Sequence, residues 1–123
     1  MDLMLRWSCC WAICLAISGF AHGAENYEGT YTGKRVLTKG TDPTCPTEDA
    51  VTIIVREQSL TITHSTLRNF TTGFDPREDG SFGQVYSDSS GGIMSIQGRI
   101  IGGVLDADVS SDTCEHHWHL KRG

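Results

Sequence analysis

The stretch Val51-Thr-Ile-Ile-Val-Arg-Glu-Gln-Ser-Leu-Thr-Ile-Thr63 decides the fold of this chain. Its first half places Val51, Ile53 and Val55 on one face, with other residues between them, which is the pattern of a β-strand with one buried face. Residues 57–59 form a polar turn, and the last four residues alternate again. The stretch therefore predicts a β-hairpin.

Short segments of the same kind lie on both sides of this hairpin, and none has the 3.6-residue period of an amphipathic helix. Segments rich in Gly, Asp, Ser and Pro separate them. The predicted strands are 27–34, 51–56, 60–63, 67–74, 82–86, 93–97, 99–109 and 114–121. The chain is therefore expected to be all-β, with about eight strands in an antiparallel meander.

An open meander leaves an unpaired strand at each edge, and closure into a barrel removes both edges. Glycines within or beside the predicted strands, such as Gly33, Gly83 and Gly98, permit the sharp bends that a small barrel needs. We therefore predict a small eight-stranded barrel, with a two-sheet sandwich as the alternative.

The N-terminal segment predicts export. Arg6 precedes the apolar run 7–18, and the small residues Ala21 and Gly23 follow, which is the order of a secretory signal peptide. The apolar run is shorter than the about 20 residues that a membrane-spanning helix needs, so we favour a cleaved signal over an uncleaved anchor. We predict that residues 1–23 are a signal peptide and that 24–123 form one β-barrel domain, secreted or periplasmic, with no membrane span after cleavage.

Two of the five cysteines, Cys45 and Cys114, lie outside the predicted signal peptide. In an oxidising compartment, two such cysteines most simply form a disulfide. Neither has the sequence spacing of a zinc site, although a free or metal-binding thiol pair is the alternative. Cys45 follows the first predicted strand and Cys114 lies in the eighth. A bridge, which needs Cα atoms within about 7 Å, would bring the two ends of the meander together.

Two segments resemble known proteins. Residues 27–33, Tyr-Glu-Gly-Thr-Tyr-Thr-Gly, resemble the opening of many lipocalin-like and avidin-like barrels. The tail, residues 97–108 followed by 114–121, is similar to small uncharacterised secreted proteins of Gram-negative bacteria. The resemblance implies a periplasmic or extracellular bacterial setting, and it transfers no catalytic or binding residue to this chain.

The segment Glu115-His-His-Trp-His119 is the densest group of chemically active side chains in the sequence. Successive side chains of a strand point to opposite faces. His116 and Trp118 are therefore expected inside the barrel, because Trp is the largest apolar side chain available, and His117 and His119 are expected outside.

The preceding strand adds carboxylates to the outer face. In the simplest hairpin register, Asp106 lies opposite His117 and Asp108 lies opposite Glu115. Asp106, His117 and His119 then form a patch of ligand types that zinc or copper accepts. We favour the alternative, a solvent-facing surface with ordinary histidine–aspartate pairs, which would make the patch mildly pH-sensitive.

The inner face raises a second possibility. An eight-stranded barrel has room for packed side chains or for one small ligand, and we favour a filled core. Polar groups among aromatic side chains are nevertheless typical of a small-molecule pocket. The candidate ligand-binding residues are Tyr27, Tyr31, His64, His116 and Trp118.

Composition and motifs argue against several classes of function. The sequence contains no nucleophile elbow, phosphate-binding loop, HExxH or CxxC motif, so we expect no enzyme. A net charge of −5 with scattered cations offers no nucleic-acid footprint. The sequence predicts a non-catalytic protein that binds a small ligand or an envelope component without a cofactor. The alternative is a surface metal-binding or pH-responsive protein that uses Asp106, His117 and His119.

Overall fold

The structure, a computed structural model, describes residues 26–87 and 92–123. The predicted signal peptide, residues 1–23, lies outside these ranges, as do residues 88–91 of the predicted turn between the strands 82–86 and 93–97. Among the described residues, no helix is long and apolar enough to cross a membrane. The strands are β1 (Gly29–Gly40), β2 (Glu48–Arg56), β3 (Ser59–His64), β4 (Leu67–Gly73), β5 (Ser81–Ser87), β6 (Ile93–Ile101), β7 (Val104–Ser110) and β8 (Cys114–Arg122).

All eight strands belong to one antiparallel sheet, in the order β4-β3-β2-β1-β8-β7-β6-β5. Each strand pairs with the next in sequence except that β4 does not pair with β5, and β1 pairs with β8. The result is a nearly closed barrel with one unsealed seam between β4 and β5. The predicted all-β meander and barrel are confirmed, and the alternative of two sheets is not formed.

The Cys45–Cys114 disulfide is present, with a Cα–Cα distance of 5.8 Å. Cys45 lies in the loop between β1 and β2, and Cys114 is the first residue of β8. β1 and β8 pair from Tyr31 opposite Arg122 to Gly40 opposite Cys114. The bridge therefore ties the loop after β1 to the strand with which β1 closes the meander, as the sequence predicted.

Alternation along the strands sends apolar side chains into the barrel, where each is 5% exposed or less. This core consists of Tyr31, Val51, Ile53, Val55, Leu60, Ile62, Leu67, Phe74, Phe82, Tyr86, Ile96, Ile100, Leu105, Ala107, Val109, Trp118 and Leu120. Full burial of a side chain the size of Leu or Ile contributes about 1.5–3 kcal/mol. Trp118 and Tyr31 have no exposed surface and are the largest of these residues.

The predicted break between the sixth and seventh strands, at Gly98, is wrong. β6 continues through Gly98, and the turn lies at Gly102 and Gly103, whose φ angles are +57° and +76°. Two consecutive residues of this kind make a tight hairpin turn, and glycine adopts them without strain. Gly98 instead permits close strand packing, because a Cβ there would lie 2.7 Å from the Cβ of Ala107.

β1 is longer than predicted, because it continues past Lys34 to Gly40. It pairs with β2 on one side and with β8 on the other. The connection to β2 is correspondingly shorter than the predicted strand bounds of 34 and 51 imply, and it occupies 41–47. The extension brings Arg35 into the barrel, where 3% of the residue is exposed.

Candidate functional site

Three buried residues with polar or ionisable side chains gather at the end of the barrel that carries the disulfide, here called the disulfide end. They are Arg35 on β1, His64 at the end of β3, and His116 near the start of β8, and each is 6% exposed or less. Buried polar groups are unfavourable unless they find hydrogen-bond partners. The hydrogen-bond partners of these three residues therefore indicate which polar groups remain available to bind a ligand at this end of the barrel.

Arg35 forms a buried ion pair with Asp49, its cross-strand partner on β2. Its Nε and Nη2 atoms donate to the two carboxylate oxygens, and Nη2 also donates to Ser65 Oγ at 3.3 Å. Burial alone would raise the pKa of Asp49, but hydrogen bonds from Arg35 and Ser65 outweigh it and lower that pKa. These bonds leave the Nη1 donors of Arg35 without a protein partner in the described part of the chain.

His64 is held by the turn that follows it. The backbone N–H of Thr66 donates to His64 Nδ1 at 3.3 Å, so the ring proton belongs on Nε2. Burial, and secondarily the charge of Arg35, lower the pKa of His64 to about 4, so the ring is neutral near pH 7. His64 Nε2 is buried and has no hydrogen-bond partner among the described residues.

Trp118 lies beneath His64. The two rings meet edge to face, with centroids 5.7 Å apart. The indole Nε1 of Trp118 is buried and also has no hydrogen-bond partner within residues 26–87 and 92–123. Within the described ranges, two neighbouring rings therefore each carry an N–H donor without an acceptor.

His116, on β8, forms a hydrogen bond to the loop between β1 and β2 that contains Cys45. Its Nε2 atom lies 2.7 Å from the carbonyl oxygen of Pro46, to which it donates. Pro46 follows Cys45 directly, so this bond and the disulfide hold the same loop. A pocket of about 180 Å³ opens beside them. Its walls include Arg35, Pro46, Thr66, Met94, Ser111 and His116.

The structure divides the five predicted ligand-binding residues between the two ends of the barrel. His64 and Trp118 are in contact at the disulfide end, and His116 is close enough to affect the pKa of His64. Tyr27 and Tyr31 lie at the opposite end, where the Tyr31 hydroxyl donates to the carbonyl of Tyr27 at 2.6 Å. The five residues therefore do not line one cavity.

The predicted register of the last hairpin is wrong by two residues. Asp106 lies opposite His119, and Asp108 lies opposite His117. The reason is the position of the turn, which residues 112–113 make and which the Ser111 N–H closes by donating to Cys114 O at 2.8 Å. A shift of two residues keeps every side chain on its face, so the outer histidines and aspartates still form one cluster.

This outer cluster consists of Asp106, Asp108, His117 and His119. The two ring nitrogens of His117 face different carboxylates, with Nδ1 2.9 Å from Asp108 and Nε2 3.3 Å from Asp106. His119 Nδ1 lies 2.6 Å from the same oxygen of Asp106. The hydrogen bond to Asp108 raises the pKa of His117, and the hydrogen bond from His119 lowers the pKa of Asp106.

The cluster is organised by charge pairing. Both nitrogens of His117 can donate together only when the ring is protonated, so the geometry suits an imidazolium between two carboxylates. Lys34 on β1 lies opposite His119, and Arg99 on β6 lies opposite Asp106. No metal-binding arrangement of three or more His, Cys, Asp or Glu residues occurs in the two described ranges. Binding of zinc or copper by Asp106, His117 and His119 stays a prediction.

Comparison with known proteins adds no relative. No protein-family model matches the chain, and neither a curated protein nor a solved structure with significant similarity is found. Function is therefore inferred from the residues of this chain.

Proposed function

We propose that this chain is a secreted or periplasmic binding protein without catalytic activity, which holds a small molecule at the disulfide end of its barrel. The disulfide is compatible with an oxidising compartment, and the order of charged, apolar and small residues in 1–23 is that of an export signal. The bound molecule would occupy the pocket beside Arg35 and His116.

The unpaired donors carry this proposal. Within the described residues, His64 Nε2 and Trp118 Nε1 are buried without a hydrogen-bond partner, and both lie at the end of the barrel whose pocket Arg35 lines. Each buried polar group left without a partner costs about 1–3 kcal/mol, so the apo barrel is destabilised at this end. A molecule in this pocket whose hydrogen-bond acceptors reach the His64 and Trp118 rings would relieve that cost.

The electrostatics of the site favour a carboxylate or carbonyl group on the ligand. Asp49 balances the charge of Arg35, and His64 is neutral near pH 7, so little net charge attracts ions by itself. Donors nevertheless remain for a ligand, because Asp49 and Ser65 occupy only two of the three guanidinium nitrogens of Arg35. Both neutral carbonyl compounds and small carboxylates meet this requirement, and Met94 supplies an apolar wall.

Nuclear magnetic resonance with small probes tests the proposal. Acetate, benzoate, acetamide and benzamide would be added in turn to the 15N-labelled mature chain, residues 24–123. We expect at least one probe to shift the indole N–H of Trp118 and the amide of Thr66 in a saturable way. The Tyr31 amide, at the opposite end, should not move.

A matched pair of variants provides the control. Thr44 lines the pocket and Thr47 lies in the same loop outside it, and both residues are exposed. Thr44→Trp should fill the pocket and abolish the shifts, whereas Thr47→Trp should preserve them. Shifts that are absent with all four probes, or that survive in Thr44→Trp, contradict binding in this pocket.

The outer cluster supports a second candidate function, a pH-responsive or metal-binding surface. The observation that favours it is the position of His117 between two carboxylates. Isothermal titration with zinc and with copper separates the two forms of this candidate. Heat of binding in the wild type that disappears in a His117→Ala/His119→Ala double variant would support metal binding. If the wild type itself gives no heat, only the response to pH remains as the candidate function.

A further inference from the structure

We propose that the unsealed seam between β4 and β5 binds an extended peptide segment of another polypeptide, which adds its backbone to the barrel as a further strand. This site is separate from the pocket at the disulfide end. It follows from the seam's register, from its unpaired backbone groups and from the composition of β5.

Aromatic side chains of β4 and β5, the two walls of the seam, contact each other across it. Phe70 stacks on Tyr86 with ring centroids 4.9 Å apart, and Phe74 meets Phe82 edge to face at 5.3 Å. Along antiparallel strands, both contacts correspond to the same register. That register sets Thr71 opposite Val85 and Gly73 opposite Gly83. Within the described residues, no backbone pairing joins β4 to β5.

β5 forms one wall of the seam, and some of its backbone N–H and C=O groups point toward β4. Ile100 N–H donates to Gly80 O at 3.0 Å, which makes these two residues a hydrogen-bonded pair of the β5–β6 ladder. Hydrogen-bonded pairs alternate with non-bonded pairs in an antiparallel ladder. Gln84 therefore directs its N–H and C=O toward β6, whereas Gly83 and Val85 direct theirs toward the seam.

The β4 wall follows the same rule. Phe74 N–H donates to Gln58 O at 2.8 Å, which fixes the alternation of the β3–β4 ladder. Thr72 therefore pairs with β3, and Thr71 and Gly73 direct their backbone groups toward the seam. Both residues are exposed, as are Gly83 and Val85 on the facing strand. Donors and acceptors on two walls in register are complementary to another extended backbone.

The side chains around the seam define the chemistry of the occupant. β5, with the sequence Ser-Phe-Gly-Gln-Val-Tyr-Ser, carries neither a charge nor a proline, the features that usually protect an edge strand. Val85 is 71% exposed on its outer face, and Ile93 on β6 is 59% exposed. The occupant is therefore an uncharged extended segment with apolar side chains on its outer face.

A flexible segment fits this seam better than a second copy of the chain. In a second copy, β5 is part of a nearly closed barrel whose own β4 stands across the same edge. Pairing of β5 with β5 would require both barrels to separate Phe70 from Tyr86 and Phe74 from Phe82. A single peptide strand requires only one barrel to separate these rings.

Amide hydrogen exchange tests the proposal with a defined probe. The heptapeptide Thr-Val-Thr-Val-Thr-Val-Thr would be joined through a flexible Gly/Ser linker to the N-terminus of residues 24–123. The Tyr27 ring lies 6.3 Å from that of Phe74, so a residue three positions from the point of fusion lies beside the seam. The linker raises the effective concentration of the probe to about the millimolar range.

In the unfused chain we expect the amides of Gly83 and Val85 to exchange quickly and that of Gln84 to be protected. The fused strand should slow Gly83 and Val85 at least tenfold. Val85→Pro removes a seam-facing N–H and leaves the β5–β6 ladder intact, so it should abolish the slowing. Val85→Lys, which keeps the N–H, should weaken binding by charging the edge.

Three results overturn the proposal. Seam amides that are already protected in the dilute unfused chain would mean that β4 and β5 seal against each other. Exchange that the fused strand leaves unchanged, while the barrel is folded, would mean that no strand enters. Protection that rises with protein concentration, together with a dimer in sedimentation, would identify the occupant as a second copy.

Discussion

The two ends of the barrel each hold an arginine, and the two arginines have opposite surroundings. At one end, Arg122 Nη1 donates to the carbonyl oxygens of Asn26 at 2.6 Å and Glu28 at 3.3 Å, and its guanidinium lies 5.8 Å from the Tyr31 ring. At the disulfide end, Arg35 is almost completely buried with Asp49.

The two ends differ in whether the fold supplies hydrogen-bond partners for their polar groups. At the Arg122 end, backbone carbonyl oxygens accept the hydrogen bonds of Arg122 Nη1 and of the Tyr31 hydroxyl. The disulfide end combines a buried ion pair with donors on His64 and Trp118 that have no acceptor among the described residues. The first arrangement helps to close the barrel, whereas in the second the proposed ligand would supply the missing acceptors.

The largest expected effect comes from the disulfide. The Cys45→Ser/Cys114→Ser double variant removes a link across 69 residues, which should lower the free energy of unfolding by about 4 kcal/mol in the chain-entropy account. Urea titrations of the wild type and the double variant measure this difference in the free energy of unfolding. Amide shifts should be concentrated at Thr66 and His116, and equal shifts at Tyr31 would contradict the independence of the two ends.

The next effect compares the two arginine sites. Asp49→Ala leaves the Arg35 guanidinium buried and unpaired, and should cost about 3 kcal/mol. Arg122→Ala removes hydrogen bonds at an exposed position and should cost about 1 kcal/mol. The free energies of unfolding of the two variants, from urea titrations at pH 7, check the ranking. Equal losses would show that the two sites are energetically alike.

His64 makes the disulfide end sensitive to acid. Its pKa is lowered to about 4 in the folded protein, below the ordinary value of 6.5, so protonation favours the unfolded chain. The stability is fully present above pH 6.5 and falls toward pH 4, by about 3 kcal/mol. His64→Phe, which keeps a ring against Trp118, should flatten this fall. Urea midpoints of both proteins between pH 7 and pH 4 provide the measurement.

The smallest expected effect comes from His117, whose contribution to stability changes with pH in the opposite direction to that of His64. The raised pKa of His117 means that its contribution is present below pH 6.5 and is lost as pH rises through the folded pKa. Because 44% of the side chain is exposed, the contribution should be about 0.5 kcal/mol or less. A titration of the His117 ring by nuclear magnetic resonance, repeated in Asp108→Asn, checks the direction. An unchanged midpoint in that variant would exclude the proposed pairing.

Alternation along the chain predicts faces well, because a side chain's face depends only on parity. Trp118 is inside and His117 outside, as the sequence indicates. Register depends instead on which residues make the turn, and the Ser111–Cys114 contacts that place it cannot be read from periodicity. The same limit explains the error at Gly98, because a glycine within a strand and a glycine in a turn look alike in sequence.

Arg35 was missed for a different reason. Alternation from Tyr31 through Gly33 reaches Arg35 on the inner face, so the signal is present in the sequence. A buried cation is nevertheless unfavourable without a partner, and that partner, Asp49, is supplied by another strand. The seam was also beyond reach, because each strand's pattern is local and does not say which neighbours stay unpaired.

Native mass spectrometry of the exported, disulfide-bonded protein tests the central claim most directly. We expect residues 24–123 to retain one small adduct of defined mass, which is released on denaturation. The adduct should be absent from Thr44→Trp and present in Thr47→Trp. A wild-type protein whose native mass equals that of the bare chain, or an adduct that survives in Thr44→Trp, would contradict a ligand site at the disulfide end.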